Sequence, residues 1–250
     1  MTGTVARRVL VLLAALAVMA VTARLGVWQL DRAAQKEALQ DRIEQQAGAP
    51  ALPAEALARD PAAAAAQHYR RITLRGTWLA AQTVYLDNRQ MRGRPGFFVL
   101  TPLLLPAGDA VVVQRGWIPR DLLDRRRLAS VATPGGEVTV QGRVAPWPSQ
   151  LTALGADEPG AIRQNLDLAD YQVQTQRALR PLSVTELAHA GNEGDGLLRD
   201  WPLPAVDVDK NNGYAAQWFA FCALTAGLYV WFQLYRPWRQ RRRHPPGARG

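Results

Sequence analysis

Ser130, Ser149 and Ser183 are the only serines in the chain, His68, His189 and His244 the only histidines, and Cys222 the only cysteine. Covalent catalysis needs a nucleophile beside a base, and no G-x-S-x-G elbow surrounds any of the serines. No H-E-x-x-H, paired C-x-x-C, Walker loop or G-x-G-x-x-G is present, so metal hydrolysis and nucleotide chemistry have no seat either. The acids of GNEGDG, residues 191–196, are too sparse for a calcium loop and read as a solvated turn. The three histidines are too dispersed for a metal motif, and one cysteine permits no intrachain disulfide. The chain is therefore read as a non-enzyme, with no catalytic residue and no metal site.

Binding chemistry has two candidate seats. In QRGWIP, Gly116 permits a bulge or a close backbone approach, and Trp117 supplies a large apolar body with one donor. Arg115 can neutralise an acid on a partner or a propionate on a cofactor; its alternative is an internal ion pair, with Trp117 in the core. Near the C-terminus, Tyr214, Gln217 and Trp218 share a helix face that offers a phenol, an amide and an indole. Such a face suits a macrocycle with an apolar body and polar edges, a partner helix, or plain interfacial anchoring.

Two apolar segments position these groups. Residues 213–234 contain no charged side chain, and a helix of that length reaches about 33 Å, enough to cross a bilayer. Aromatic residues gather at both of its ends, and Arg236, Arg239, Arg241, Arg242 and Arg243 follow it, which places the C-terminus on the cytoplasmic side. Residues 9–30 form a second apolar segment behind Arg7 and Arg8. It reads as an uncleaved anchor or as a signal peptide with small residues before a cut, the anchor being favoured because apolar residues continue to Leu30. Cys222 lies inside the later span and reads as packing.

Between the spans, residues 31–46 are polar helix formers that extend the first helix, ended by Gly48 and Pro50, and a loop with short helices follows to residue 68. From Tyr69 the pattern changes to strands. YRRITLRGTW, TVYLDN, GFFVLTPLLL and AVVVQRGWIP predict a four-stranded antiparallel meander, with RQMRGRPG as a bend and PAGD as a turn. Arg120–Ser130 reads as one or two helical turns, EVTVQGRVAPW as a fifth strand and PSQLTALGADEPG as a loop. A short helix is predicted near Asn165, and a last strand in LRPLSVTELA. The fold expected is a small antiparallel β-barrel with one or two short helices, spanning residues 69–208 outside the cytoplasm between transmembrane helices at 9–30 and 213–234. Residues 1–8 and a basic tail, 235–250, lie in the cytoplasm.

The formal charge of +9 is confined to the flanks of the spans. Residues 31–210 carry 21 basic and 21 acidic groups, so the surplus describes topology and contact with anionic lipid, not a nucleic-acid-binding face.

LGVWQLDR, YRRITLRGTW with TVYLDNR, GRPGFFVLTPL, VVVQRGWIP and KNNGYAAQWF, in that order from Leu25 to Leu234, together resemble the Surf1 family of cytochrome c oxidase assembly factors. The resemblance implies a multi-pass protein of the bacterial inner membrane with its central domain in the periplasm. It implies partners in oxidase subunit I, the haem a synthesis machinery and the lipid bilayer, and a role in delivering or positioning haem a for insertion into subunit I. The alternative is a membrane-anchored scaffold that stabilises an oxidase intermediate without touching haem; a tethered periplasmic hydrolase or transferase is a third class.

The chain departs from the family at one position. Many members carry a histidine, proposed as a haem ligand, three residues before the tyrosine of Y-A-x-x-W-F, and the matching residue here is Asn211. An amide oxygen is a poor ligand for haem iron beside imidazole. Three readings stay open: another ligand such as Tyr214 or His189, haem held without an axial bond, or no haem.

Overall fold

The computed structural model describes residues 2–121, 123–124, 126–151, 160–201 and 208–243. Its helices are α1 (Thr2–Gly48), α2 (Pro61–Gln67), α3 (Leu168–Thr175), α4 (Val208–Tyr229) and α5 (Arg236–Arg243). Its strands are β1 (Arg71–Trp78), β2 (Val84–Met91), β3 (Arg94–Leu104), β4 (Ala110–Pro119), β5 (Glu137–Ala145), β6 (Ile162–Arg163) and β7 (Leu179–Glu186). The chain divides into two compact units, residues 1–41 with 205–250, and residues 42–204.

The first unit is a helix pair. The anchor and its polar extension form one continuous helix that ends at Gly48, where glycine was expected to stop it. On α4 a row of less exposed residues runs through Asn211, Ala215, Trp218, Cys222, Thr225 and Tyr229, spaced alternately by four and three. On α1 a row of less exposed residues, Met19, Thr22, Gly26, Gln29, Ala33 and Lys36, shows the same alternation. This 3.5-residue spacing is that of helices packing side by side with a shallow crossing. Small residues let them approach: a Cβ added to Gly26 would lie 2.8 Å from the Phe219 ring, and Cys222 Sγ sits 3.6 Å from the Met19 carbonyl. Within the apolar stretches of both helices large side chains stand exposed, among them Leu10, Leu13, Leu16, Phe221, Leu224 and Leu228. Both are long and apolar enough to cross a membrane. A wide π-type turn, Val230–Tyr235, joins α4 to α5.

The second unit is built on one seven-stranded sheet, ordered β1-β5-β7-β4-β3-β2-β6. It corrects the expected antiparallel barrel. The sheet is mixed, because β7 runs parallel to β4 and β6 parallel to β2. Closure is partial: β1 returns to β3 through only two residue pairs, Thr77 with Leu104 and Trp78 with Leu103, while β2 and β6 lie beyond the ring. The expected meander is broken at its first link, since β1 pairs along its length with β5 and not with β2. The connection LAAQT holds a 3₁₀ turn, Ala80–Gln82, and none of the glycine, asparagine or aspartate that a tight hairpin uses.

Other expectations shift locally. Most of RQMRGRPG is strand, with the reversal confined to Arg92 and Gly93, both at positive φ (51° and 72°), as a two-residue turn of the kind that matches strand twist requires. No helix forms among the described residues of 120–130. The helix placed near Asn165 starts at Leu168, where the Asp167 carboxylate accepts from the N–H groups of Ala169 and Asp170. The two-residue β6 was not foreseen. Most of the predicted loop 148–160, the end of the β-rich region at 202–207, and His244 with the tail from 244 onward lie outside the described residues.

Strand β4 is buried on both faces. Val111 and Val113 join the cluster of Leu74, Val140, Val144, Leu182 and Val184, while Ala110 and Val112 join Leu86, Leu100, Leu166 and Tyr171 beneath α3. That is why AVVV reads as an unbroken apolar run instead of alternating.

Candidate functional site

Strand β4 carries the first group of predicted residues and bends where they occur. Val99 of β3 faces Gly116, but Leu100 faces Gln114, so Arg115 is an extra residue without an opposite number. A bulge of this kind re-aims the side chain it carries. Arg115 is 2% exposed; its guanidinium donates to Thr133 Oγ1 and to the Ala132 carbonyl, each at 2.7 Å, and lies 4.8 Å from the centre of the Trp78 ring. Burial pulls its pKa down, against an upward pull from Glu186 and Asp195.

The two residues after it have structural work. A Cβ on Gly116 would stand 2.6 Å from Leu197 Cβ, so the missing side chain lets the segment around Leu197 cross the strand. That segment is pinned by Trp117 N–H to the Leu198 carbonyl at 2.8 Å and Leu198 N–H to the Trp117 carbonyl at 3.0 Å. The Trp117 indole is 1% exposed and donates to the Arg89 carbonyl at 2.9 Å. Gly96 makes room for it, since a Cβ there would lie 2.4 Å from the ring. Gly96 and Gly116 are thus sites of close approach within strands.

Arg115 lines a cleft of about 240 Å³ with Trp78, Val140, Glu186, His189 and Asp195. Three of these were not singled out from sequence as a group. Glu186, 4% exposed, accepts from Asn192 at 3.0 Å and from Arg199 at 3.2 Å. Arg199 also binds Asp195, so part of GNEGDG is tied down instead of fully solvated. Burial would raise the Asp195 pKa, but the hydrogen bonds and charge of Arg199 hold it below the ordinary carboxylate range. His189 Nδ1 accepts the Gly191 N–H at 3.0 Å, which leaves the ring proton on Nε2, 3.8 Å from Glu186 Oε1. The carboxylates of Glu186 and Asp195 are engaged by Asn192 and Arg199. What it can offer is a guanidinium held by neutral oxygens and an aromatic face, an arrangement for binding.

The second predicted group lies on α4. Tyr214 and Gln217 are exposed, whereas Trp218 is half-buried with its ring edge-on to Phe221 at 6.0 Å. Asn211 is engaged on both amide atoms: Nδ2 donates to Gln29 Oε1 at 2.6 Å, and Oδ1 accepts from Lys36 Nζ at 2.7 Å. Asn211 therefore joins the two long helices through a polar rung. Asn211 and His189 do not fit axial ligation of haem, since both amide atoms of Asn211 are engaged and the unprotonated nitrogen of His189 accepts from Gly191, whereas the Tyr214 phenol stands on an exposed side chain.

Buried charge was the part that sequence reasoning missed. Asp87, 1% exposed, pairs with Arg120; Arg180, 4% exposed, pairs with Asp109 at 2.8 Å; and Arg89, 6% exposed, donates to the carbonyls of Ser149 and Gln164. The only sequence signal was their place in strands whose neighbours are core residues.

The model of the SURF1 family matches residues 16–223. A SURF1-like protein of Monosiga brevicollis is 27% identical over 94% of this chain and 92% of its own length, and one of Mycobacterium bovis is 27% identical over 90% and 82%. The cytochrome oxidase assembly protein SHY1 of Saccharomyces cerevisiae is 31% identical over 28% of this chain and 18% of its own length. A match that starts inside α1, takes in the whole sheet with its Arg115 bulge, and ends in α4 leaves little of the architecture unaccounted for: the chain belongs to the SURF1 family.

Proposed function

We propose that this chain is a membrane-anchored assembly factor for cytochrome c oxidase, one that helps deliver or position haem a for insertion into subunit I. The observation that carries the reading is the family match across residues 16–223, joined to the name of the yeast relative as an oxidase assembly protein. The two apolar helices act as anchors in the bacterial inner membrane. The arginines at 7, 8 and 236–243 keep both ends in the cytoplasm, and the β domain works in the periplasm. Its partners are subunit I, the haem a synthesis machinery and the bilayer. The Arg115 cleft suits binding and not turnover.

A second reading has its own observation. Because Asn211 is spent on Gln29 and Lys36, the helix pair is built as a scaffold that stabilises an oxidase intermediate without holding haem. The absorption spectrum of the full chain, purified in detergent from cells that make haem a, separates the two. Haem a at a fixed ratio to protein supports delivery, and its absence with oxidase assembly intact supports the scaffold. Undiminished oxidase in cells lacking the chain overturns both.

A further inference from the structure

Among the described residues, one edge of β1 has no neighbouring strand between Ile72, where Leu52 joins it, and Thr77, where β3 meets it. The Arg71 carbonyl accepts from Leu52 N–H at 2.7 Å, and Leu79 N–H donates to the Pro102 carbonyl at 2.9 Å. Odd-numbered residues of β1 therefore turn their peptide groups toward this edge, and alternation puts those of Thr73 and Arg75 there. Strand β3 cannot continue along the gap, because the chain turns away at Pro106, which has no N–H to give. The gap opens into a cleft of about 670 Å³ lined by Glu55, Arg59, Thr73, Arg75, Leu105 and Arg180.

Charge in this cleft is unevenly used. Arg180 is held by Asp109 at 2.8 Å, and Arg59 lies 3.6 Å from the same carboxylate with its side chain 70% exposed. Arg75 makes no hydrogen bond or ion pair with any described residue. On the same outward face of the sheet, Arg71 stands directly opposite Arg143 of β5, neither has an acidic partner among the described residues, and Arg143 Nε is buried without an acceptor. Like charges directly opposite each other destabilise a strand pair, so the fold gains nothing from this arrangement by itself.

We infer that the open edge of β1 docks an extended segment of a partner protein in which acidic and apolar residues alternate. The segment adds as a short strand between the Leu52 contact and Thr77. Its main chain meets the peptide groups of Thr73 and Arg75, its acids face Arg75 with Arg71 and Arg143 alongside, and its apolar residues turn toward Ala54 and Leu105, which line the cleft. This inference stands apart from the oxidase reading and names only the chemistry of the partner segment.

The test uses the full chain in neutral detergent and three peptides carrying an uncharged dye: acetyl-Leu-Glu-Val-Glu-Leu-amide and its Lys and Gln counterparts. Arg75 points outward from the sheet, so Arg75→Glu is compatible with the fold, and thermal unfolding checks it. The expected result is that the Glu peptide binds and the Gln peptide binds less well. Arg75→Glu should weaken the Glu peptide by about five- to tenfold and confer binding of the Lys peptide. Equal binding of the Glu and Gln peptides, or no change on Arg75→Glu, overturns the proposal. So does Arg75-dependent binding of glycerol phosphate without peptide binding, which would make the cleft a lipid-headgroup or small-anion site.

Discussion

The two units of this chain treat charge and apolar surface in opposite ways. The β domain buries its valines and leucines and takes charges inside with them, each answered by a partner: Asp87 by Arg120, Asp109 by Arg180, Glu186 by Arg199. The helix pair leaves its leucines and phenylalanines exposed and sets one polar rung, Gln29–Asn211–Lys36, on the packed seam. In water the first arrangement is stable and the second is not; in hydrocarbon the apolar exterior costs nothing and association rests on close packing and a few hydrogen bonds. The difference fits two solvents, water around the β domain and hydrocarbon around the helix pair, and each unit can be broken on its own terms.

The largest effect is expected from Asp87→Ala, which empties the site of a buried carboxylate and leaves the partly exposed Arg120 guanidinium without its ion pair. Losing one partner of a fully buried pair costs about 3–5 kcal/mol, and because Arg120 keeps some contact with solvent a loss of about 3 kcal/mol is expected, enough for thermal unfolding of the β domain to drop steeply. An unchanged unfolding temperature would mean that water replaces the carboxylate and that the pair is not truly interior.

Gly116→Ala comes next. The added carbon must push Leu197 away from 2.6 Å, an overpacking cost of about 1–3 kcal/mol, and Gly116→Glu should be worse. Loss of oxidase with protein level and unfolding temperature unchanged would move Gly116 from the fold to the function.

In the helix pair, Asn211→Leu removes both hydrogen bonds of the rung, at an expected cost of about 1 kcal/mol, because helices in a membrane find other polar partners when unfolded from each other. A loss as large as that of Asp87→Ala would erase the contrast between the units. Asn211→His is the sharper substitution: it breaks the same rung while adding an imidazole, and greater retention of haem a with a shifted visible spectrum would favour delivery over the scaffold.

The smallest effect concerns pH. The Asp195 carboxyl is held below its ordinary range by Arg199, so its stabilising contribution is present above the unfolded value near pH 4 and is lost as pH falls through the lower folded value. Unfolding followed from pH 6 down to pH 3 should show this loss in the parent and not in Asp195→Asn. Identical acid limbs would place the Arg199 interaction mostly in solvent.

Much of this was legible in the residues. A run of 22 positions without a charge can only be buried or in lipid, and alternation in RITLRGTW marks a strand with one wet face. Gly116 beside Trp117 announced a bulge or close approach, and the chain uses both. The site was less legible. Arg115 acquires its direction from the register slip against Leu100, and its neighbours Trp78, Glu186 and His189 come from strands or loops far away in sequence.

By itself, then, the sequence determined where the chain is apolar, which stretches extend and which coil, and where the surplus charge lies, because these follow from local composition and period. Tertiary structure alone decided that β7 lies parallel to β4, that the ring closes through two residue pairs, and that Asn211 joins the helices. Strand order and long-range pairing depend on which buried faces and partners meet after the chain has crossed the molecule, and no local pattern carries that information.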